Sequence, residues 1–137
     1  MSGAVAIPAG IYDALVEHAR ADAPNECCGL LEFDADGGQV TVAHPMKNIA
    51  ASPMRFELGS ADLLKLPAIE ESGRTPVIYH SHTRSEPYPS QTDLNFAAYW
   101  PGVPWLIIGV DGEPATMRWY EIEDGAIGER PVRRTES

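Results

Sequence analysis

The sequence is short of basic side chains. Ten lysines and arginines face twenty aspartates and glutamates in 137 residues, a formal net charge of −10. A surface of that sign repels phosphate backbones, and no basic stripe with interleaved aromatics runs along the chain, so nucleic acid is not an expected partner. Long apolar runs are missing as well. None approaches the roughly 20 residues that span a bilayer, and the opening "MSGAVAIPAG" has no basic segment leading into a long apolar block. The expectation is a cytoplasmic protein with no membrane partner. Cysteine is scarce: Cys27 and Cys28 are the two present, adjacent in the chain, where disulfide geometry does not normally join them. With no disulfide framework, the chain suits a reducing compartment. Repeats and low-complexity linkers are absent too.

What is present suffices for one core. With 44% hydrophobic residues, a chain of this length is expected to form a single domain over residues 1–137. Ile7, Ile11, Leu15 and Ala19 recur at helical spacing and predict a helix over 8–22, with Pro8 suited to its first turn. "CCGLLEF" reads as a buried strand, "DADGG" as a turn, and "QVTVAHP" as the returning strand. "MRFEL" is a further strand candidate. A second helix is expected from Ser60 through "SADLLKLPAIEESG", kinked or shortened by Pro67. "TPVIYHSH" reads as a strand, "SQTDLNFAAYW" as a helix beginning at Ser90 and stopped by Pro101-Gly102, and "PWLIIGV" as an apolar central strand. "ATMRWYEIE" and "AIGERPV" read as edge strands, each after an Asp-Gly turn. The last residues, "RRTES", are expected to fray. Alternating strands and helices predict an α/β class, a mixed sheet with flanking helices.

The stretch "YHSHTRSEPYPSQTD" concentrates the polar chemistry. In a strand, alternate side chains share a face, so His80 and His82 point one way and Ser81 the other. Two imidazoles about 7 Å apart along a strand can converge on one metal ion. Asp93 follows one turn into the next helix, placed to look back at the strand end. Three protein ligands make the catalytic rather than the structural zinc pattern, since a catalytic site leaves its fourth position to water. A base must then take that water's proton. Glu26, entering the apolar "CCGLL" strand, is the candidate, because a glutamate there is costly unless hydrogen-bonded or functional.

Taken singly, these features have bland explanations. An isolated His-x-His is commonly a surface or structural pair, and Ser90-x-x-Asp93 is close to a capping box. Taken together, Glu26, His80-Ser81-His82, seven residues, then Ser90-x-x-Asp93 form a complete pattern that resembles the JAMM (MPN-plus) metallopeptidase motif. The resemblance implies a deaminase-like α/β sandwich, Zn2+ held by His80, His82 and Asp93, Glu26 as general acid/base, and Ser90 as a donor to the tetrahedral oxyanion. "ECCGLL" and "YHSHTRSEPYPSQTD" are most similar to small bacterial members. These act on the C-terminal tail of ubiquitin-like sulfur-carrier proteins, some releasing cysteine and some trimming the carrier. The implied partner is such a tail. Asn48 and Ser52 correspond to residues that border the substrate groove there.

Two other classes compete. A catalytically silent MPN scaffold would lack ligands, and none is missing here. A non-haem iron oxygenase also uses two histidines and a carboxylate, but the additional glutamate and the α/β pattern favour hydrolysis. Cys27 and Cys28 read as small core residues, with Cys28 near enough to a metal to be weighed as an extra ligand. His18 and His44 read as surface or packing residues, and Trp100, Trp105 and Trp119 as core or rim aromatics.

Overall fold

The protein is described by a computed structural model in which residues 3–136 are placed. In chain order the elements are β1 (Val5–Pro8), α1 (Ala9–Asp22), β2 (Cys28–Asp34), β3 (Gln39–Met46), α2 (Ser60–Leu63), α3 (Lys65–Glu71), β4 (Thr75–His82), α4 (Gln91–Ala97), β5 (Trp105–Gly109), β6 (Thr116–Glu123), β7 (Ala126–Arg130) and β8 (Val132–Thr135). The strands form one mixed sheet in the order β7-β6-β5-β4-β2-β3-β1-β8. β4 and β5 pair in parallel, as do β1 with β3 and with β8, and the other neighbours are antiparallel.

Strand alternation divides the core into two layers. On one face of the sheet, Leu31, Val77, Tyr79, Leu106, Ile108 and Trp119 pack with Leu15 and Ala19 of α1. On the other, Leu30, Ile78, Trp105, Ile107 and Tyr120 pack with Leu66 and Ile69 of α3 and Ala97 of α4. The central strands β4 and β5 are buried along nearly their whole length, which is why they read as apolar runs rather than as half-polar alternation. Gly29 lets β2 lie close under β4: a Cβ there would run into the Tyr79 ring and the His44 carbonyl oxygen. The β6–β7 hairpin turns at Asp124 and Gly125, both at positive φ (50° and 79°), as a two-residue primed turn requires.

Four sequence expectations are corrected. "MRFEL" forms no strand; it is an extended loop segment that inserts Phe56 and Leu58 into the α3/α4 layer. Arg133, Arg134 and Thr135 do not fray. They belong to β8, paired in parallel with Ala6, Ile7 and Pro8, and Arg134 meets Asp13 at 2.8 Å; Ser137 lies outside the described residues. The helix over 60–71 is broken at Leu64, before Pro67, which sits in the first turn of α3 where proline needs no amide hydrogen. β6 lies inside the sheet, and the edges are β7 and β8.

Candidate metal centre and catalytic cleft

The site forms where β4 ends. His80 and His82 lie on the α3/α4 face of that strand. The chain then loops through 83–89 and enters α4 with Ser90 as N-cap. Ser90 and Asp93 form a reciprocal capping box: Ser90 Oγ accepts from the Asp93 amide at 3.1 Å, and Asp93 Oδ2 accepts from the Ser90 amide at 3.0 Å. The cap therefore fixes the first turn so that the Asp93 carboxylate faces back at the strand end. His80 Nε2, His82 Nε2 and Asp93 Oδ2 stand 3.1–3.2 Å from one another, and all three residues are buried.

His82 Nδ1 sits 2.8 Å from the Glu86 carbonyl oxygen, an atom that only accepts. His82 therefore donates from Nδ1, and in the neutral ring Nε2 presents a lone pair to the cluster. The cluster draws positive charge. Burial pushes the His82 pKa down, yet the bonds to Asp93 and to the Glu86 carbonyl carry it above its ordinary value. Burial likewise pushes the Asp93 carboxyl up, but the two histidines and the Ser90 amide hold it well below the usual carboxylate range. His80, fully enclosed, has its pKa lowered by burial against the pull of Asp93. Three donor atoms converging from two imidazoles and one carboxylate fit a divalent cation. His80 is further clamped by Phe56, stacked at 4.6 Å, and by the edge of Trp105 at 5.6 Å.

Glu26 arrives by strand register. Cys28 pairs with His80 in the antiparallel β2–β4 ladder. Two residues back along one strand and two forward along the other bring Glu26 opposite His82, on the same face. Its backbone is fixed on both sides: the amide donates to the Ser52 carbonyl (2.9 Å) and the carbonyl accepts from Asn48 Nδ2 (3.0 Å). The side chain is buried, with Oε1 making no hydrogen bond. Burial raises its pKa to about 8, a rise that His82 opposes and Asp93 adds to. Glu26, His82 and Ser90 line one open cleft of about 360 Å³, with Met54 and Arg84 at its walls.

Asn48 and Ser52 thus act through the backbone. The Asn48 amide is fully engaged, giving hydrogens to the Glu26 and Arg55 carbonyls and accepting from the Ala50 and Glu57 amides. Ser52 Oγ caps Met54. The Asn48 amide has no polar capacity left to grip a substrate, while the Ser52 hydroxyl accepts one bond and keeps its own hydrogen; both residues hold the Glu26 backbone, and Asn48 also borders a pocket with Glu26 and Lys47. Cys28, though opposite His80, is not in the cluster, and burial pushes both thiols up to about 12. His18 bonds the Tyr79 hydroxyl (2.8 Å) and His44 pairs with Glu32 (2.7 Å), both packing roles. Trp105 and Trp119 are wholly buried and Trp100 is half-buried. Sequence reasoning assigned no task to Ser81. Its hydroxyl accepts from the Cys27 amide at 2.8 Å on the α1 face, locking the Glu26 segment to β4. A small hydroxyl midway between two inward histidines was the available signal.

Comparison with known proteins follows the same lines. Residues 8–122 match the Prok-JAB family model, prokaryotic homologs of the JAB domain. The chain is 40% identical over 125 residues to a desampylase of Haloferax volcanii, covering 86% of this chain and 89% of that protein. It is 39% identical over 133 residues to a CysO-cysteine peptidase of Mycobacterium tuberculosis, covering 95% and 90%. Among solved structures, a protein of Desulfitobacterium hafniense superposes with a TM-score of 0.80 at 25% identity, covering 97% of this chain and 94% of that one. A JAB1/MPN domain protein of Archaeoglobus fulgidus shares the fold at a TM-score of 0.57 and 18% identity, over 93% and 98%. The α/β sheet, the layer that carries the His80, His82 and Asp93 cluster and the match over most of the chain's length agree: this protein belongs to the family of prokaryotic JAB-domain homologs.

Proposed function

We propose that the protein is a zinc-dependent peptidase that hydrolyses a peptide or isopeptide bond at the C-terminal tail of a ubiquitin-like sulfur-carrier protein. The observation that carries the reading is the buried, unpaired carboxyl of Glu26 facing the same cleft as His82 and Ser90. His80, His82 and Asp93 would hold the ion, whose chemistry is to polarise the scissile carbonyl and bring the pKa of a water to about 7. Glu26, whose buried carboxyl faces the cleft with His82 and Ser90, is placed to take the proton of the attacking water and pass it to the departing nitrogen. Ser90 Oγ already accepts from the Asp93 amide, so its own hydrogen is free for the oxyanion that develops on the carbonyl oxygen.

The relatives support the substrate class, since one is named for cleaving CysO-cysteine and another is a desampylase. The chain reads as one catalytic domain, supported by its single continuous sheet. No helix among the described residues is long and apolar enough to cross a membrane, and the two buried free thiols suit a cytoplasmic setting. The test is incubation of zinc-loaded protein with sulfur-carrier proteins bearing C-terminal extensions, read by intact mass. A product shortened at the carrier tail is expected, and carriers left at full mass would overturn the reading.

A further inference from the structure

The loop between His82 and Ser90 carries a cation for which the mechanism above has no use. Arg84 is exposed, lines the cleft with Glu26, His82 and Ser90, and takes part in none of the ion pairs among the described residues. Arg20, Arg55, Arg130 and Arg134 each have a carboxylate within 4.0 Å; Arg74, Arg84, Arg118 and Arg133 are in no ion pair among the described residues, and of these four Arg84 is the one that lines the cleft.

The backbone beneath Arg84 is firmly held. Thr83 Oγ1 donates to the Pro24 carbonyl at 3.0 Å, just before the Glu26 segment. The Glu86 carbonyl accepts from His82 (2.8 Å) and the Pro87 carbonyl from the Tyr120 hydroxyl (2.7 Å). Pro87 and Pro89 are buried. The loop is therefore anchored on both sides of Arg84, an exposed residue that lines the cleft and is in no ion pair among the described residues.

The chemistry of the scissile bond says what such a group could read. On the acyl side an extended tail offers neutral peptide groups. On the amine side, an isopeptide-linked lysine offers methylenes. A single amino acid as leaving group offers a carboxylate one carbon from the departing nitrogen, and a planar guanidinium binds a carboxylate through two parallel hydrogen bonds.

Resting on the peptidase reading above, we propose that Arg84 is a specificity residue that binds the free α-carboxylate of a one-residue leaving group, directing the enzyme to carrier–amino acid adducts over isopeptide conjugates. Arg84 takes no part in proton transfer; its effect lies in substrate binding.

The test uses two carrier-tail peptides extended by one amino acid, one with a free C-terminal carboxylate and one with a carboxamide. Zinc-loaded wild type should cleave the carboxylate peptide with at least tenfold higher kcat/KM, the difference lying mainly in KM. In Arg84→Ala that ratio should fall towards one, and Arg84→Lys should retain part of it. Calorimetry with metal-free protein gives a second readout: Arg84→Ala should weaken carboxylate-peptide binding about tenfold while the carboxamide peptide binds as it does to wild type. Equal cleavage of the two peptides by wild type, or equal losses on both in Arg84→Ala, overturns the assignment and leaves the peptidase reading standing. Failure of wild type to cleave either peptide overturns both.

Discussion

The two faces of β4 treat polar groups in opposite ways. On the α1 face, Tyr79 and Ser81 each have a dedicated partner: the Tyr79 hydroxyl meets His18, and the Ser81 hydroxyl meets the Cys27 amide. On the other face, His80 and His82 crowd their nitrogens against one another and against Asp93, while Glu26 Oε1 and His80 Nδ1 have no partner. A buried polar group without a partner costs of order 1–3 kcal/mol, more if charged. One face of the strand is therefore built for stability. The other gathers two imidazole nitrogens and a carboxylate oxygen within about 3 Å, an arrangement that a divalent cation would fit.

This comparison can be broken by mutation. The largest effect is expected from His82→Ala on the site face. Zinc content should fall from about one per chain to near zero by elemental analysis, and cleavage should vanish with it; unchanged zinc would remove His82 from the ligand set. Next comes Glu26→Gln, which should keep the metal yet lower cleavage by a factor of about 10²–10⁴, the range for loss of a general acid/base. An active Gln variant would take Glu26 out of the mechanism.

Glu26→Gln also probes the stability side of the contrast. Glu26 has its folded pKa raised from 4.5 to about 8. Between those values the folded state holds the proton more tightly than the unfolded chain, so stability falls as pH rises through that window. Metal-free wild type should lose several degrees of melting temperature between pH 5 and pH 8. Metal-free Glu26→Gln should lose less. Equal losses in the two proteins would show that Glu26 is not held protonated by burial.

Smaller effects are expected on the α1 face. Ser81→Ala leaves the Cys27 amide unpaired and should destabilise the fold by about 1–3 kcal/mol. It should also lower kcat, because the Glu26 segment loses a tie to β4. Tyr79→Phe should cost about 1 kcal/mol and leave kcat and zinc content alone. A Tyr79→Phe variant as catalytically impaired as Ser81→Ala would erase the distinction between the faces.

Much of this was legible in the chain. The pairing of His80 with His82, the cap that brings Asp93 around, and the strands β2 to β7 follow from local spacing and turn chemistry. The edge beyond β3 was not legible. β1 is four residues long and runs straight into a proline-led helix, and its partner β8 lies some 127 positions further on, rich in arginine. Nothing local announces a pairing of that separation. The loop over 48–58 misled for a related reason. Phe56 and Leu58 alternate as in a strand, yet they serve to stack on His80 and fill the α3/α4 layer. The bracing tasks of Asn48 and Ser52 depend on the backbone of Glu26, more than twenty residues away, so nothing local announced them.

The ligand set itself is open to direct measurement by X-ray absorption at the zinc edge on the loaded protein. Nitrogen and oxygen scatterers alone, at about 2.0–2.2 Å, are predicted for His80, His82 and Asp93 with a water-derived ligand. A sulfur scatterer near 2.3 Å would place Cys28 or Cys27 on the metal and contradict the site described here.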